Sequence, residues 1–320
     1  MLSFNAPGQG SQKTGMLAEW LESPAARARL EEWSGVAGLD LAWLGAEASQ
    51  EEIRDTAITQ PLVVASELLA AAGLREHGLL PQAREESGKH GHHRTDETTV
   101  VAGHSIGELA ALAMAGVLSD ADAVRLAAAR GAAMARACAE HETTMVAVLG
   151  GREEEVRSAI AEAGLYSANV NAAGQIVAAG DATTCADFAA NPPTRTKVRA
   201  LDVAGAFHTP FMESAVAEFS AAAAEVEVHD PVCTLLSNAD GASVTSGRAA
   251  LDSVVSQITS PVRWDLCTQT QMDMGVSTFV ELPPAGALTG IAKRQMRGVE
   301  RLAIASPADI GTVAGATQAA

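Results

Sequence analysis

The sequence has few aromatic side chains and far fewer basic than acidic residues. Only 3% of its 320 residues are Phe, Trp or Tyr, so its core must consist of aliphatic side chains and alanine. With 22 Lys and Arg against 39 Asp and Glu, the formal charge is −17. A protein whose main partner is nucleic acid or an anionic membrane needs a basic surface. We therefore expect neither as a partner.

Long apolar runs and spaced cysteines are also missing. No continuous apolar stretch approaches the roughly 20 residues of a membrane span. The N-terminus lacks the basic start and apolar stretch of a signal peptide, so we expect a cytoplasmic protein. The cysteines show neither CxxC spacing nor a paired-histidine pattern, which indicates small buried hydrophobes and no metal site. They are Cys138, Cys185, Cys233 and Cys267.

A polar tract at 82–98 contains almost no apolar residue. Its composition favours a solvated loop or disordered insertion. His90, His92 and His93 make a metal site conceivable, but an exposed polar tract explains them better.

The hydrophobic pattern predicts a large α/β body, similar to an α/β-hydrolase, with a mainly parallel sheet and a smaller inserted lobe. Short apolar strands are expected at Leu2–Ala6 and Thr98–Ala102. From Thr143 the pattern changes to the order βαββαβ, which is typical of a ferredoxin-like unit. We expect a large catalytic subdomain over 1–141 and 206–320 and a small subdomain over 142–205. The tail after Ser306 is predicted to be frayed.

The strongest functional signal is the GxSxG pattern at Gly103–Gly107, with a predicted strand before it and a helix after it. A sharp strand-to-helix turn exposes the serine hydroxyl and aims it at the amides of the helix N-terminus. Ser105 is therefore the predicted nucleophile, and the main-chain N–H of Ile106 can stabilise an oxyanion.

A serine nucleophile needs a base, and histidine is the usual one near neutral pH. His208 is the best candidate, because it lies where the chain returns from the small lobe to the body. His104 and His229 are the alternatives, and His104 is interpreted as structural because it directly precedes the serine.

The loop Gly8–Gln12 follows the first strand, where ligand-binding loops of α/β sheets gather. It lacks the third glycine of a dinucleotide fingerprint, which argues against a phosphate cradle. Gln9 could instead donate a second hydrogen bond to an oxyanion.

Several motifs together resemble the malonyl-CoA:acyl carrier protein transacylases and the acyltransferase domains of fatty acid and polyketide synthases. They follow the family's order over nearly the whole chain. The matching pieces are PGQGSQ at 7–12, TQP at 59–61, GHSIGE at 103–108, Arg130-Gly131 with Met134, Asn169 and Asn171 before GQIVAAG, FHTP at 207–210, Gln257 before SPVRW at 260–264, and LTG at 288–290 before Lys293-Arg294.

The resemblance implies a ping-pong acyl transfer. Ser105 would carry the malonyl group, with His208 as its base and Gln9 and the Ile106 amide as the oxyanion hole. In the family a main-chain carbonyl near the residue matching Gln257 orients the histidine, so no triad carboxylate is expected.

The resemblance also implies the substrate contacts. Arg130 would pair with the malonyl carboxylate, which a guanidinium can bind bidentately and a lysine cannot. Gln257 and Asn171 would contact the substrate. Phe207 matches the malonyl-selective members, since methylmalonyl-selective ones usually have a smaller residue there.

The implied partner is an acyl carrier protein with its phosphopantetheine arm, and the implied donor is the coenzyme A thioester malonyl-CoA. No permanently bound cofactor is expected, and the chain is expected to act as a monomer. Carrier proteins are acidic, so local basic clusters are the candidate docking residues. These are Lys197 and Arg199, near Arg195, and Lys293 and Arg294, near Arg297 and Arg301.

Two other functions remain open. An α/β-hydrolase esterase would share the serine turn and could use Asp202 before His208, but acid and base would then be nearly adjacent. A nucleotide-binding module could be built on Gly8–Gln12.

The family's Gly-Pro-Gly before the last helix is Pro283-Pro284-Ala285 here, which leaves that loop's shape open. The pathway is also open between fatty acid, mycolate-type lipid and polyketide synthesis, and a standalone chain favours the first.

Overall fold

The computed structural model describes residues 1–82 and 96–318 of the chain, so most of the polar tract, including His90, His92 and His93, lies outside the described residues. Two sheets organise the described part. The larger sheet has six strands in the order β10-β9-β1-β2-β7-β8, and its pairs are parallel except β7 with β8. Its strands are β1 Leu2–Ala6, β2 Asp96–Gly103, β7 Cys233–Leu236, β8 Ser243–Val244, β9 Thr278–Glu281 and β10 Glu300–Ala303.

Helices cover this sheet, so its central strands are buried on both faces. In β1, Phe4 and Ala6 are fully buried, and so are the polar residues Ser3 and Asn5 on the alternate face. This burial on both sides is typical of a parallel sheet between helical layers. The helices of the body are α1 Pro24–Ala37, α2 Leu41–Ala46, α3 Thr56–Glu76, α4 Gly107–Met114, α5 Asp120–Cys138, α8 Glu213–Ala224, α9 Gly247–Ser256, α10 Trp264–Asp273, α11 Ala287–Gln295 and α12 Pro307–Gln318.

The smaller sheet has four antiparallel strands in the order β4-β5-β3-β6. Two helices complete the predicted βαββαβ order, and the strand order is that of a ferredoxin-like unit. The elements are β3 Thr143–Gly150, α6 Glu153–Glu162, β4 Tyr166–Ala172, β5 Gln175–Asp181, α7 Ala182–Ala190 and β6 Thr196–Ala200. The predicted fold class is therefore confirmed.

The small sheet is bonded to the body through its edge strand β4. The Val170 N–H donates to the Val262 carbonyl at 2.8 Å, and the Val262 N–H donates to the Ala168 carbonyl at 2.9 Å. These bonds extend the small sheet with a segment of the body. The subdomain limits 142–205 stay a prediction.

Helix α3 is the central helix of the body. By length and composition it could cross a membrane, but 83% of its most apolar window is buried inside the protein, as expected of a core helix. Asp55 caps its start by accepting a hydrogen bond from the Ala57 N–H. Helix α3 packs most extensively against α5, whose cap Ser119 accepts from the Asp122 N–H.

The tail prediction was wrong. The residues after Ser306 form helix α12, which packs on α3. Ile310 and Val313 are buried, and the Ile310 side chain lies so close to Gly73 that a β-carbon there would meet its Cδ1 at 2.4 Å. The tail is rich in small and polar residues, but its few larger apolar residues recur with helical spacing and form a short apolar face. Burial of this face stabilises the helix on the body.

The strand order places the site. Strand β1 is central, and the chain leaves it toward β2 on one side and returns to β9 on the other. Ligand sites of open parallel sheets lie at the carboxyl ends of strands around such a reversal. Gln9 follows β1, Ser105 follows β2 and Asn238 follows β7, so three adjacent strands deliver polar side chains to one edge.

Candidate active site

Ser105 occupies the predicted strand-to-helix turn between β2 and α4. Its φ angle is 54°, in the left-handed region. The flanking glycines are required by close approach: a β-carbon on Gly103 would lie 2.0 Å from the Gly107 carbonyl, and one on Gly107 would lie 2.4 Å from the Ala6 carbonyl oxygen. This crowding explains the GxSxG pattern, because any side chain at either glycine would force the turn open.

His208 lies against the serine hydroxyl. Its Nε2 is 2.8 Å from Ser105 Oγ, and its Nδ1 is 2.8 Å from the main-chain carbonyl oxygen of Gln257. A carbonyl only accepts hydrogen bonds, so Nδ1 carries the proton and Nε2 is free to accept from the hydroxyl. The φ angle of His208 is 60°, so the imidazole is also presented from a left-handed residue.

The imidazole of His208 is held neutral. Burial, followed by the positive charge of Arg130, lowers its pKa to about 3, and the bond to the Gln257 carbonyl acts in the opposite direction. A neutral imidazole is the form that can accept the serine proton. Within residues 1–82 and 96–318, no carboxylate hydrogen-bonds to His208.

The esterase alternative loses its proposed acid. Asp202 is an exposed side chain that forms an ion pair with Arg54, not with His208. The alternative base His229 is near Glu227 and does not line the cleft. His104 is structural in its contacts, as expected, because its Nε2 bonds Asn171 Oδ1 at 2.8 Å and its ring meets Trp264 edge to face.

Arg130 is a fully buried cation beside the serine. Its Nη1 donates to Gln60 Oε1 at 2.9 Å, and its Nη2 donates to Gln257 Oε1 at 3.0 Å. Nη2 is also 3.4 Å from Ser105 Oγ, while Nε is buried and has no hydrogen-bond partner among residues 1–82 and 96–318. Burial lowers the pKa of Arg130 to about 10, against the charge of Glu108, so the guanidinium stays protonated at neutral pH. The two side chains that bond Arg130 are neutral amides, and one of its donors is free. The guanidinium is therefore suited to bind an anionic group of a substrate.

Beneath the cleft lies a network of buried polar side chains, in which the sequence predicted roles for Arg130 and Gln257 but not for Asn238 and Glu108. Asn238 Oδ1 accepts from the Ser105 N–H at 2.8 Å, and Asn238 Nδ2 donates to the Gly103 carbonyl at 2.7 Å. Asn238 therefore braces the strained turn from both sides. Its own N–H donates to Glu108 Oε1 at 2.7 Å.

Glu108 and Gln257 complete this floor. Gln257 Nε2 donates to Glu108 Oε2 and, at 3.1 Å, to Asn238 Oδ1. Burial raises the pKa of Glu108 to about 8, and the Asn238 N–H and the charge of Arg130 oppose this rise. The hydrogen bonds assign the ionised form, because both carboxyl oxygens accept from N–H groups and Arg130, which only donates, orients the amide of Gln257 with its NH₂ group toward Glu108. We call Arg130, Gln257, Asn238 and Glu108 the cleft floor.

The two predicted oxyanion donors differ in availability. The Ile106 N–H has no acceptor among the described residues, whereas the next two N–H groups, of Gly107 and Glu108, bond to the carbonyls of His104 and Ser105. Gln9 lines the same cavity, but its Nε2 donates to Thr56 Oγ1 at 3.2 Å. Gln9 must therefore break its hydrogen bond to Thr56 before its Nε2 can donate to an oxyanion.

A cavity of about 170 Å³ between the two sheets is lined by Ser105, His208, Arg130, Ile106 and Gln9. Gln257, which was predicted to contact the substrate, is not among its lining residues and is linked to it through Arg130. The polar end of the cavity holds Ser105, His208 and Arg130, and Asn171 contributes from β4. The remaining wall is apolar and includes the predicted Phe207, which is 7% exposed. Its other apolar members are Met134, Met145, Val177, Leu201 and Val203. A wider surface depression of about 900 Å³ at α1 and α2 contains none of the predicted site residues.

The predicted docking residues are on the surface. Lys197 and Arg199 are exposed on β6, an edge strand of the small sheet, and Lys293 and Arg294 are exposed in the last turn of α11. In the described parts of the chain none of the four forms an ion pair. Their charges are therefore available to an acidic partner.

No group of three or more His, Cys, Asp or Glu residues with metal-binding geometry occurs among the described residues. The cysteines are free thiols, and three of the four are buried.

Comparisons with known proteins agree with this geometry. Residues 3–318 match the family model of the acyl transferase domain. A malonyl CoA-acyl carrier protein transacylase of Mycobacterium tuberculosis is 54% identical over 314 residues, which cover 98% of this chain and 99% of that protein.

Solved structures are similar over the same extent. The crystal structure of MCAT from Mycobacterium tuberculosis superposes with a TM-score of 0.90 at 53% identity, covering 98% of this chain and 99% of that one. A malonyl-transacylase solved in complex with its type II PKS acyl-carrier protein superposes with a TM-score of 0.85 at 28% identity, covering 98% and 99%.

Proposed function

Because this chain belongs to the acyl transferase family, we propose that it transfers the malonyl group of malonyl-CoA to the phosphopantetheine thiol of an acyl carrier protein. The single observation that carries the proposal is the contact of Ser105 Oγ with both His208 Nε2, at 2.8 Å, and Arg130 Nη2, at 3.4 Å. A nucleophile with its base is thereby placed beside a buried cation. The relatives named as malonyl transacylases make malonyl the acyl group that this cation would bind.

The first half of the reaction acylates the serine. His208 Nε2 takes the hydroxyl proton as Ser105 Oγ attacks the thioester carbonyl. The Ile106 N–H, joined by Gln9 after it leaves Thr56, stabilises the oxyanion. Collapse of the tetrahedral intermediate breaks the carbon–sulfur bond, and His208 returns the proton to the coenzyme A sulfur. The products are free coenzyme A and malonyl-Ser105.

The second half repeats these steps in reverse. The phosphopantetheine thiol gives its proton to His208 and attacks the malonyl ester. The Ser105 oxygen leaves and recovers the proton from His208. The main-chain carbonyl of Gln257 holds the imidazole throughout and stabilises the transient imidazolium by accepting from Nδ1.

Arg130 is the proposed determinant for the malonyl carboxylate. Its Nε, which has no partner, and Nη2 are neighbouring donors of one planar fork. A carboxylate would satisfy both at once, whereas an acetyl group would leave Nε buried and unsatisfied. Phe207 narrows the same cavity and would disfavour a branched acyl group, and Asn171, also in its lining, would add a contact. Gln257 is not in that lining, so it would act on the substrate through its hydrogen bond to Arg130.

The carrier protein would dock on Lys197, Arg199, Lys293 and Arg294. The charge of −17 for the whole chain opposes binding of an acidic partner, so local unpaired cations must direct the approach. We further propose that the chain acts as a monomer in the cytoplasm, without a permanently bound cofactor, and supplies malonyl groups for fatty acid synthesis.

The central test is detection of the acyl-enzyme. Mass spectrometry of the protein after exposure to malonyl-CoA should show one malonyl adduct, located on Ser105 by peptide mapping. The Ser105→Ala variant should show none. An adduct that persists on this variant would refute the assignment of the nucleophile.

Faster hydrolysis of p-nitrophenyl esters than transfer to a thiol would instead support the esterase alternative. Binding of a nucleotide in calorimetry would support the module on Gly8–Gln12.

The docking surface is tested separately. Charge reversal in Lys293→Glu with Arg294→Glu should raise the KM for carrier protein and leave the KM for malonyl-CoA unchanged. A matched reversal at Arg152, which lies on the surface in an ion pair with Glu155, should change neither. Equal effects of the two reversals would contradict the docking residues.

A further inference from the structure

Glu108 is a buried acid that does not line the cavity, but it is hydrogen-bonded to Asn238 and Gln257, which in turn bond the cavity residues Ser105 and Arg130. It is 2% exposed, and its two oxygens accept from the Asn238 N–H and from Gln257 Nε2. The mechanism above gives it no step. Its contacts nevertheless reach the substrate cation through one side chain, because Gln257 Oε1 accepts from Arg130 Nη2.

The amide of Gln257 has one orientation in which all its neighbours are satisfied. Its NH₂ end faces Glu108 Oε2 and Asn238 Oδ1, and its oxygen faces the guanidinium of Arg130. An ionised carboxylate only accepts hydrogen bonds, and a guanidinium only donates them. Reversing the amide would therefore set oxygen against oxygen at one end and N–H against N–H at the other.

Asn238 cannot relax this constraint, because main-chain groups fix its own amide. Its oxygen accepts from the Ser105 N–H, and its nitrogen donates to the Gly103 carbonyl. Gln60, the other partner of Arg130, is less constrained, since its Nε2 donates to the Met134 sulfur at 3.5 Å, which is a weak acceptor. The Gln257 contact is thus the one that the surrounding structure enforces.

We propose that Glu108 is a positioning residue for acyl-group selection: it fixes the amide of Gln257 with its oxygen toward Arg130, and so holds the guanidinium in place for the malonyl carboxylate. This inference rests on the proposed function. It separates the two roles of Gln257, whose main-chain carbonyl serves the imidazole of His208 and whose side chain serves Arg130.

The decisive variant is Glu108→Gln, which keeps the size of the side chain and removes its acceptor-only character. The main-chain N–H of Asn238 requires an oxygen, so the new NH₂ group must face Gln257. The amide of Gln257 then reverses and turns its own NH₂ group toward Arg130. We expect kcat/KM for malonyl-CoA to fall about 10- to 100-fold, the range for a lost hydrogen bond to a charged group.

The selectivity of that loss identifies its cause. Acylation by acetyl-CoA needs Ser105, His208 and the oxyanion donors but not the Arg130 fork, so it should change by less than about 3-fold. A general structural defect would lower both donors together. Glu67→Gln is the matched control, because it makes the same substitution at a fully buried glutamate that lies outside the cavity and has no hydrogen-bond partner among the residues that the structure describes. It should change neither donor.

A second variant acts from the other end of the same contact. Gln257→Met removes the side-chain amide and keeps the main-chain carbonyl, so it should lower the malonyl-to-acetyl ratio on its own. If Glu108 acts through Gln257, the double variant should have the ratio of Gln257→Met, with no further loss. Additive losses would overturn the proposal.

The remaining outcomes are also decisive. Equal losses for malonyl-CoA and acetyl-CoA in Glu108→Gln, or no loss for either, would overturn the proposal. If Glu108→Gln does not fold, an unchanged ratio in Gln257→Met would overturn it. Absence of a malonyl adduct on the unsubstituted protein would instead contradict the proposed function itself.

Discussion

Two buried carboxyl groups of the body have opposite surroundings. Glu108, in the first turn of α4, has a hydrogen-bond donor on each oxygen. Glu67, inside α3, is fully buried, and neither of its oxygens has a hydrogen-bond partner in the described part of the chain. Burial, and then the negative charge of Glu281, raises the pKa of Glu67 well above its usual value. The same residue type therefore serves as a bonded acceptor in one region and is favoured as a neutral acid in the other.

The difference lies in what each acid orients. Glu108 belongs to the cleft floor, where each acceptor faces a donor and the chain of contacts ends at Ser105 and Arg130. The other region, called the α3–β9 contact below, is where Glu67 of α3 interacts electrostatically with Glu281, the last residue of β9. There Glu281 accepts from the N–H groups of Leu288 and Thr289, both at 2.7 Å, and so caps α11. Glu67 adds no bond to this cap. We therefore expect substitutions in the cleft floor to lower the rate of acyl transfer. Substitutions at Glu67, in the α3–β9 contact, should change only the stability of the fold.

The largest effect on the reaction rate is expected from substitution of His208, the proposed base, which is bonded to the cleft-floor residue Gln257. His208→Ala removes the acceptor of the serine proton and leaves the Gln257 carbonyl without its donor. The rate of acyl-enzyme formation should fall by about 10³- to 10⁴-fold or more for both malonyl-CoA and acetyl-CoA. Rapid-quench mass spectrometry measures this rate. A loss below about 10-fold would remove His208 from the role of base.

A smaller, donor-selective effect is expected from Arg130→Lys. Lysine keeps the charge but cannot bond Gln60, Gln257 and a carboxylate in one plane. We expect kcat/KM for malonyl-CoA to fall about 100-fold, with acetyl-CoA transfer preserved or improved. Steady-state kinetics with the two donors checks this. Equal losses for both donors would contradict the carboxylate role and weaken the contrast between the two regions.

Local sequence patterns predicted the groups that we propose to react. The GxSxG turn is a property of five consecutive residues, so Ser105 and the Ile106 amide could be placed without tertiary information. His208 and Arg130 were also identified, one by its position after the small lobe and the resemblance, the other by the resemblance. Structure brings both within hydrogen-bond distance of the serine hydroxyl.

The groups that hold the reacting ones could not be predicted from sequence. Asn238 follows a strand that is distant in sequence but adjacent to β2 in the sheet, so only the strand order shows that it braces Ser105. Glu108 lies within the GHSIGE motif, yet its partners are 130 and 149 positions away. Gln60 lies within TQP, and only the packing of α3 on α5 reveals its bond to Arg130.

A gain in stability is expected from Glu67→Met. The substitution removes two buried oxygens that have no hydrogen-bond partner and fills similar space with apolar atoms. The free energy of unfolding at pH 7.5 should rise by on the order of 1–3 kcal/mol. Urea denaturation followed by circular dichroism measures it, and the acyl transfer rate should not change. A loss of stability in Glu67→Met would contradict the expectation that buried Glu67 destabilises the fold. A loss of activity would contradict the expectation that the α3–β9 contact, unlike the cleft floor, has no role in catalysis.

The smallest effect is in the pH dependence of stability, where the two regions should have opposite signs. The pKa of Glu67 is raised in the folded protein, so above pH 4.5 the unfolded chain binds fewer protons than the folded one. Stability from this group therefore falls as pH rises, and the gain in Glu67→Met should decrease as pH is lowered toward 4.5, where only the part due to the unbonded oxygens remains.

The pKa of His208 is lowered to about 3, so between that value and 6.5 the unfolded chain binds more protons. Stability from this group is lost as pH falls below 6.5, and His208→Gln should reduce that loss. Urea midpoints of both variants between pH 4.5 and 8 test the two signs together. A gain in Glu67→Met that stays constant with pH would mean that Glu67 keeps its ordinary pKa when buried. In that case the contrast between the two acids would lie in their hydrogen bonds alone.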